Sequence, residues 1–254
     1  MPRVEGAQSI ERLISILECF TLERPELPLG DVAETAKLPK PTVFRMLHAL
    51  KQYHYIEQDE RSGLYRLGFR LYALGAIVAS QMDLRRTALP IMQDLAEQTK
   101  ETVNLNIVDR SERVCIELVE GSQGIRNFVR IGARNSLLSG ASGKVLLAHL
   151  DAAQAETVLQ LEFPDQPRDQ ALRTRLFEEN AKVRETGVAI SFSQRVSGAA
   201  GISCPIYDRT QTVVAGLTVS GPEERIRGQS ETIVRLLKDA ASRLSERLGY
   251  LPRP

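Results

Sequence analysis

Two groups of residues in this 254-residue chain have the types and spacing to do chemistry. The first runs from Lys40 to Lys51. Lys40, Pro41, Phe44, Arg45 and His48 fall on one side of a helix, while Val43, Met46, Leu47 and Leu50 share the other at i, i+3, i+4, i+7 spacing. A guanidinium such as that of Arg45 can donate two hydrogen bonds to a guanine edge, and Phe44 can meet a thymine methyl. Lys40, Thr42 and Lys51 are suited to holding phosphates. The second group lies in the other half of the chain. Small residues in Leu137-Leu138-Ser139-Gly140-Ala141-Ser142-Gly143-Lys144 open a helix and leave backbone N–H groups unobstructed at its positive end, a seat for a carboxylate or phosphate. Strand parity puts Ser191 and Ser193 on one face, and Thr218 and Ser220 on one face of a later strand. Two hydroxyl-bearing faces and a Gly-rich helix start could enclose a small acidic ligand. The alternative is that the hydroxyls face water and Gly140 merely permits a turn.

The first group needs a rigid mount, and Leu29 to Leu50 has the pattern of a helix-turn-helix. Counting Leu29 as position 1, small Ala33 falls at position 5, where two helices cross closely. Val32, Ala36, Leu38, Val43 and Met46 occupy positions 4, 8, 10, 15 and 18, which such a unit buries. Ser9 is placed to cap a preceding helix reaching Phe20, with Ile10, Leu13, Ile14, Leu17 and Phe20 inward and a loop over 23–28 behind it. Tyr55–Gln58 and Leu64–Leu67 flank Asp59–Gly63 as a β-hairpin, so the unit reads as a winged helix-turn-helix with Arg61 and Arg66 on the wing. Net charge is only +1, yet Lys37, Lys40, Arg45 and Lys51 are unaccompanied by carboxylates between Lys37 and Ile56, so the positive charge is a local patch.

The stretch 68–81 is helical in period and too apolar to stand alone, which suggests a linker that also pairs with a second copy. Asp83 to Lys100 continues as a helix with Leu84, Ala88, Ile91, Met92 and Leu95 inward. Beyond it, strands are expected at 103–108, 114–119, 128–131, 188–193, 201–206 and 213–220. Helices are expected at 139–150, 169–185, after Pro222, and from Ser230 with Ile233, Leu237, Ala240, Leu244 and Leu248 inward. Short hairpin connections argue for a largely antiparallel sheet with helices alongside, an α+β class.

Several function classes fare poorly. Cys19, Cys115 and Cys204 are scattered in apolar runs, so buried thiols are expected rather than a disulfide or metal set. His48, His54 and His149 are not placed to serve a nucleophile, and no metal or cofactor is expected. Gly143-Lys144 lacks the first glycine and the Ser/Thr of a phosphate loop, which Leu138 and Val145 replace. No apolar run nears the roughly 20 residues of a membrane span, and the N-terminus lacks a signal-peptide core, so a cytoplasmic protein is expected.

The stretches SIERLISILECF, LPKPTVFRMLHALKQYHYIE, LLSGASGKVLLAHL, ETGVAISFSQRVSGAAGISCPIYD and VVAGLTVSGP, in this order, resemble the isocitrate-lyase-regulator (IclR) family of bacterial transcription factors. The resemblance implies a winged helix-turn-helix over 1–67, a linker helix used in dimerisation over 68–82, and an effector-binding domain with a GAF- or profilin-like sheet over 83–254. It implies a ligand-responsive regulator of a catabolic operon for a small organic or aromatic acid, working as a homodimer or dimer of dimers on operator DNA. It also implies effector-pocket roles for Leu138, Gly140, Ala141, Ser191, Gly201, Thr218 and Ser220, with Gly140 and Ala141 receiving the ligand carboxylate. Ser191 and Gly201 depart from the acidic residue and cysteine of some members, and the missing bulk at Gly201 leaves room for a larger acid. Lys37 stands where the turn usually has glycine. An enzyme domain fused to a DNA-binding module, or a ligand-free assembly module, are the other readings of the C-terminal half.

Overall fold

The computed structural model describes residues 8–21, 23–80, 83–124, 129–163 and 170–251, with the side chains of 78–80 and 170–172 left aside. The chain divides into two compact units, Met1–Gln81 and Met82–Pro254.

The first unit contains α1 (Gln8–Leu17), β1 (Glu26–Leu27), α2 (Leu29–Thr35), α3 (Lys40–Gln52), β2 (Ile56–Gln58), β3 (Tyr65–Leu67) and α4 (Phe69–Ser80). Val32, Ala33, Val43 and Leu47 are buried together with Ile56 and Tyr65 of the hairpin, and Ala36, Leu38 and Met46 pack against them. The expected interior positions of the helix-turn-helix therefore form its core. The expected inner face of α1 is corrected. Ile16, Cys19 and Phe20 are buried, whereas Ile10 and Ile14 are 61% and 49% exposed. Ser9 lies inside α1 rather than at its cap. The loop expected at 23–28 contains β1, which pairs antiparallel with β3 and makes the wing three-stranded.

The turn between α2 and α3 explains Lys37. Its φ is 54°, the left-handed region. Its N–H donates to the Glu34 carbonyl at 3.1 Å, and that of Leu38 donates to the Ala33 carbonyl at 3.0 Å. These two bonds are a Schellman closure of α2. They satisfy carbonyls that the helix end would leave unpaired, which offsets the roughly 1 kcal/mol that a non-glycine residue costs there. The end of α3 repeats the device: His54 has φ 60°, with Tyr55 N–H on the Leu50 carbonyl at 2.9 Å.

The second unit contains α5 (Asp83–Thr99), β4 (Thr102–Asp109), β5 (Glu112–Val119), β6 (Arg134–Ser136), α6 (Gly140–Ala148), α7 (Ala152–Glu162), α8 (Gln170–Thr186), β7 (Ala189–Phe192), β8 (Ala199–Tyr207), β9 (Val213–Pro222), α9 (Glu223–Gly228) and α10 (Ser230–Arg247). Its six strands run β6-β5-β4-β9-β8-β7, every pair antiparallel. Alternation along the strands gives the sheet two characters. Val103, Leu105, Ile202, Cys204, Leu217 and Val219 face α5 and α10, forming a core with Ala88, Met92, Leu95, Ile233, Leu237 and Leu244. Asn104, Ser203, Thr218 and Ser220 lie on the opposite face with α6, and all four are buried.

Two expectations in this unit change, and the start of a third element is not described. Phe128 of the expected third strand lies outside the described residues, and 129–131 are not extended pairing partners. The strand beside β5 is Arg134–Ser136, a polar edge without the apolar run that periodicity detects. Asp169 also lies outside, and the described helix begins at Gln170. Helix α7 was unexpected, although Asp151 and Gln154 form a reciprocal capping box that the sequence carries. All three cysteines are buried thiols, and no helix among the described residues is long and apolar enough to cross a membrane.

Candidate functional site

The first candidate surface is the outer side of α3. Pro41 stands in the first turn of α3, where its missing N–H costs nothing and its fixed φ suits the helix. Val43 and Leu47 are fully buried and anchor the helix, so the residues between them are forced outward. Lys40, Pro41, Phe44, Arg45, His48 and Lys51 are all exposed, and Thr42 is half-buried. Phe44 and His48 stack with ring centroids 6.5 Å apart, which gives the face a flat apolar ridge beside Arg45. Lys51 Nζ donates to the Gln58 side chain at 3.3 Å, tying the end of α3 to the wing.

The wing differs from expectation at one arginine. Strand pairing sets Glu26, Arg66 and Glu57 in a row across β1, β3 and β2. Arg66 lies 3.0 Å from Glu57 and 3.6 Å from Glu26, two exposed ion pairs with which a phosphate would have to compete. Chain order hid this, because both carboxylates precede the run of arginines. Arg61 at the tip stays exposed, with its backbone N–H held by the Asp59 carboxylate at 2.9 Å. The same turn bonds, led by Ser62, hold the Asp59 carboxyl below its ordinary range.

The second candidate is a pocket between α6 and the polar face of the second unit's sheet. Gly140, Ala141, Ser191, Gly201, Thr218 and Ser220 all line it, together with Asn104, Arg113, Ser142 and Arg195. Ser220, Gly201 and Ser191 are successive cross-strand partners on β9, β8 and β7, and Asn104 is paired with Thr218. This register is what gathers hydroxyls from three strands under one helix. The reading in which they face water is therefore set aside: Ser191, Thr218 and Ser220 are 4–5% exposed. The floor is cross-linked, with Asn104 Nδ2 donating to Ser220 Oγ at 3.2 Å and Thr218 Oγ1 to Ser203 Oγ at 2.9 Å.

Two expected residues stand elsewhere. Ser193 has φ 50° and leaves the strand, and its hydroxyl bonds the Glu223 carboxylate instead. Leu138 packs with Leu137, Leu146 and Val158 behind α6 and does not line the pocket. Gly143 also has a structural reason. A Cβ there would sit 2.7 Å from the Leu137 carbonyl, so this glycine serves the close approach of α6 to the preceding chain.

Arg113, absent from the sequence expectation, dominates the pocket's electrostatics. It is 7% exposed on β5. Its Nη1 donates to Ser142 Oγ at 2.7 Å and its Nε to the Ser136 carbonyl at 3.3 Å. Among the described residues no carboxylate pairs with it. Burial, and then the nearby Arg195 guanidinium, pull it down to about 10, so it remains charged at neutral pH. Helix α6 starts beside it: Gly140 has φ 75°, and no side chain caps the N–H groups of the first turn. Donors of positive character converge there from two directions, and no acceptor of negative charge among the described residues answers them.

Two family models match the chain, the IclR helix-turn-helix domain over residues 9–60 and the bacterial transcriptional regulator IclR C-terminal domain over residues 76–246. The HTH-type transcriptional regulator KdgR of Escherichia coli (strain K12) is 32% identical, aligning 98% of this chain with 96% of its own. XynR of the same organism, also an HTH-type transcriptional regulator, is 32% identical over 96% of this chain and 98% of its own. An IclR homologue from Microbacterium hydrocarbonoxydans, solved as a complex with 4-hydroxybenzoate, superposes with a TM-score of 0.80 at 25% identity, covering 95% of this chain and 99% of that one. A winged helix-turn-helix, an antiparallel-sheet domain and matches along almost the whole length place the chain in the IclR family of bacterial transcriptional regulators.

Proposed function

We infer that this regulator reads operator DNA with α3 and changes its grip when a small acid fills the pocket in the second unit. The observation that carries the reading is the coexistence of an exposed Arg45–Phe44–His48 face with a pocket whose buried Arg113 has no carboxylate partner among the described residues. In this account Arg45 contacts a guanine edge, Phe44 a thymine methyl, and Pro41 and His48 the groove floor beside them. Lys40, Thr42, Lys51 and Arg61 hold phosphates. The acid sits over Gly140 and Ala141, with Ser191, Gly201, Thr218 and Ser220 beneath it. The relative crystallised with 4-hydroxybenzoate supports an acid as the class of effector.

The protein acts in the cytoplasm by binding rather than catalysis, and it controls a catabolic operon. The domains follow the two units, with 68–82 as the linker, although Gln81 and Met82 fall outside the described residues. Phe69, Tyr72 and Ile77 of α4 are 71%, 69% and 55% exposed, an apolar set that supports pairing of two copies there as a homodimer or dimer of dimers. Paired half-sites on DNA then match the paired protein. A buried arginine without a carboxylate is costly in a mere assembly module, which favours the sensor reading.

Lys51→Ala tests the division of labour. Affinity is expected to fall alike for operator and unrelated duplexes, with the slope of log K against log salt reduced by about one. Titrations of both duplexes at several salt concentrations measure it, and a loss confined to the operator would contradict the phosphate role.

A further inference from the structure

The pocket carries more positive charge than one carboxylate needs. Arg113 and the start of α6 already converge at its inner end, linked through Ser142. Arg195 lines the same pocket from the connection between β7 and β8, where it is exposed to solvent. Among the described residues no carboxylate lines the pocket, so the two guanidiniums share a lining that is otherwise neutral. Burial first, and the Arg195 guanidinium second, pull Arg113 below its ordinary range. Asn104, Ser191, Thr218 and Ser220, which are short and polar, line the same pocket. The cavity measures about 50 Å³, so a bulky ligand would have to move its walls.

We propose that the effector is a compact acid with two anionic groups, one held by Arg113 at the α6 start and the second by Arg195 at the mouth. This rests on the effector reading above and narrows it from acids in general to dicarboxylates. A second anion relieves the repulsion between the guanidiniums, and a monoacid leaves Arg195 unanswered.

The test is calorimetric titration and thermal shift of the full chain with malonate, succinate, glutarate, butyrate, gluconate and 4-hydroxybenzoate. At least one dicarboxylate is expected to bind about tenfold tighter than butyrate. Arg195→Gln, an exposed position that leaves the fold in place, should erase that difference while butyrate binding stays. Arg113→Gln should weaken both. Equal binding of butyrate and the dicarboxylates, or stabilisation by gluconate or 4-hydroxybenzoate alone, overturns the two-anion proposal and leaves the effector reading standing. Stabilisation by nothing in the panel overturns both.

Discussion

Arg45→Ala is expected to cost about 1–3 kcal/mol of operator affinity, roughly five- to 150-fold, and to relax preference at one base-pair position of each half-site. The expectation follows from how α3 is mounted. Val43 and Leu47 have no exposed surface, so α3 cannot rotate without opening the core of the unit. That fixes the direction of Arg45, on the side away from the core beside the stacked pair Phe44 and His48. No acidic residue occurs from Lys37 to Ile56 to engage its guanidinium along α3. Selection of duplexes from a random pool by each protein, followed by titration of the winners, reads both effects. Identical motifs and affinities for the two proteins would mean that another face of α3 reads the bases.

Gly68→Ala should be the most damaging single methyl in the DNA-reading unit. A Cβ at this position would lie 2.2 Å from the His54 carbonyl oxygen and 2.9 Å from the carbonyl carbons of His54 and Tyr55. All three are backbone atoms, so no rotamer change makes room. The Gly68 N–H also donates to the Tyr55 carbonyl at 2.8 Å, holding the exit of β3 against the entrance of β2. Relief means parting the wing from the end of α3, where His54 is already held in the left-handed region. Overpacking commonly costs 1–3 kcal/mol, and a backbone clash belongs at or above the upper end of that range. A unit of this size has only about 4–12 kcal/mol in total. Hydrogen exchange of the amides in 55–67 should therefore accelerate at least a hundredfold, with operator binding weakened in parallel. Unchanged protection there would show that the wing can yield at little cost.

The parts of this molecule that were legible in the chain are those where one periodicity rules. Val43, Met46, Leu47 and Leu50 repeat at helical spacing because a single core lies under α3. Thr218 and Ser220 alternate with Leu217 and Val219 because the central sheet has an apolar side and a polar side. The family resemblance added Gly201, whose place between Ser220 and Ser191 only the strand register explains. What escaped notice depends on partners distant in sequence. Strand β1 is two residues between prolines and exists because β3 needs an outer neighbour. The carboxylates that flank Arg66, Glu26 and Glu57, are brought there only by strand pairing. Arg113 stood in an ordinary strand, Glu112 to Val119, and nothing local marked it as buried. Its position follows from β5 running beside β6 and under the start of α6. Asn104 and Asn106, alternating with Val103, Leu105 and Ile107, were the available hint that this side of the sheet is polar.

Binding of the full chain to its selected duplex, followed by fluorescence anisotropy with and without a saturating acid from the panel, tests the central claim most directly. The account predicts that operator affinity shifts by roughly five- to 150-fold at saturation. It also predicts that Gly201→Leu, which fills the space opposite Ala141, abolishes the shift. An acid that calorimetry shows to be bound in the pocket, with operator affinity unchanged, would contradict it.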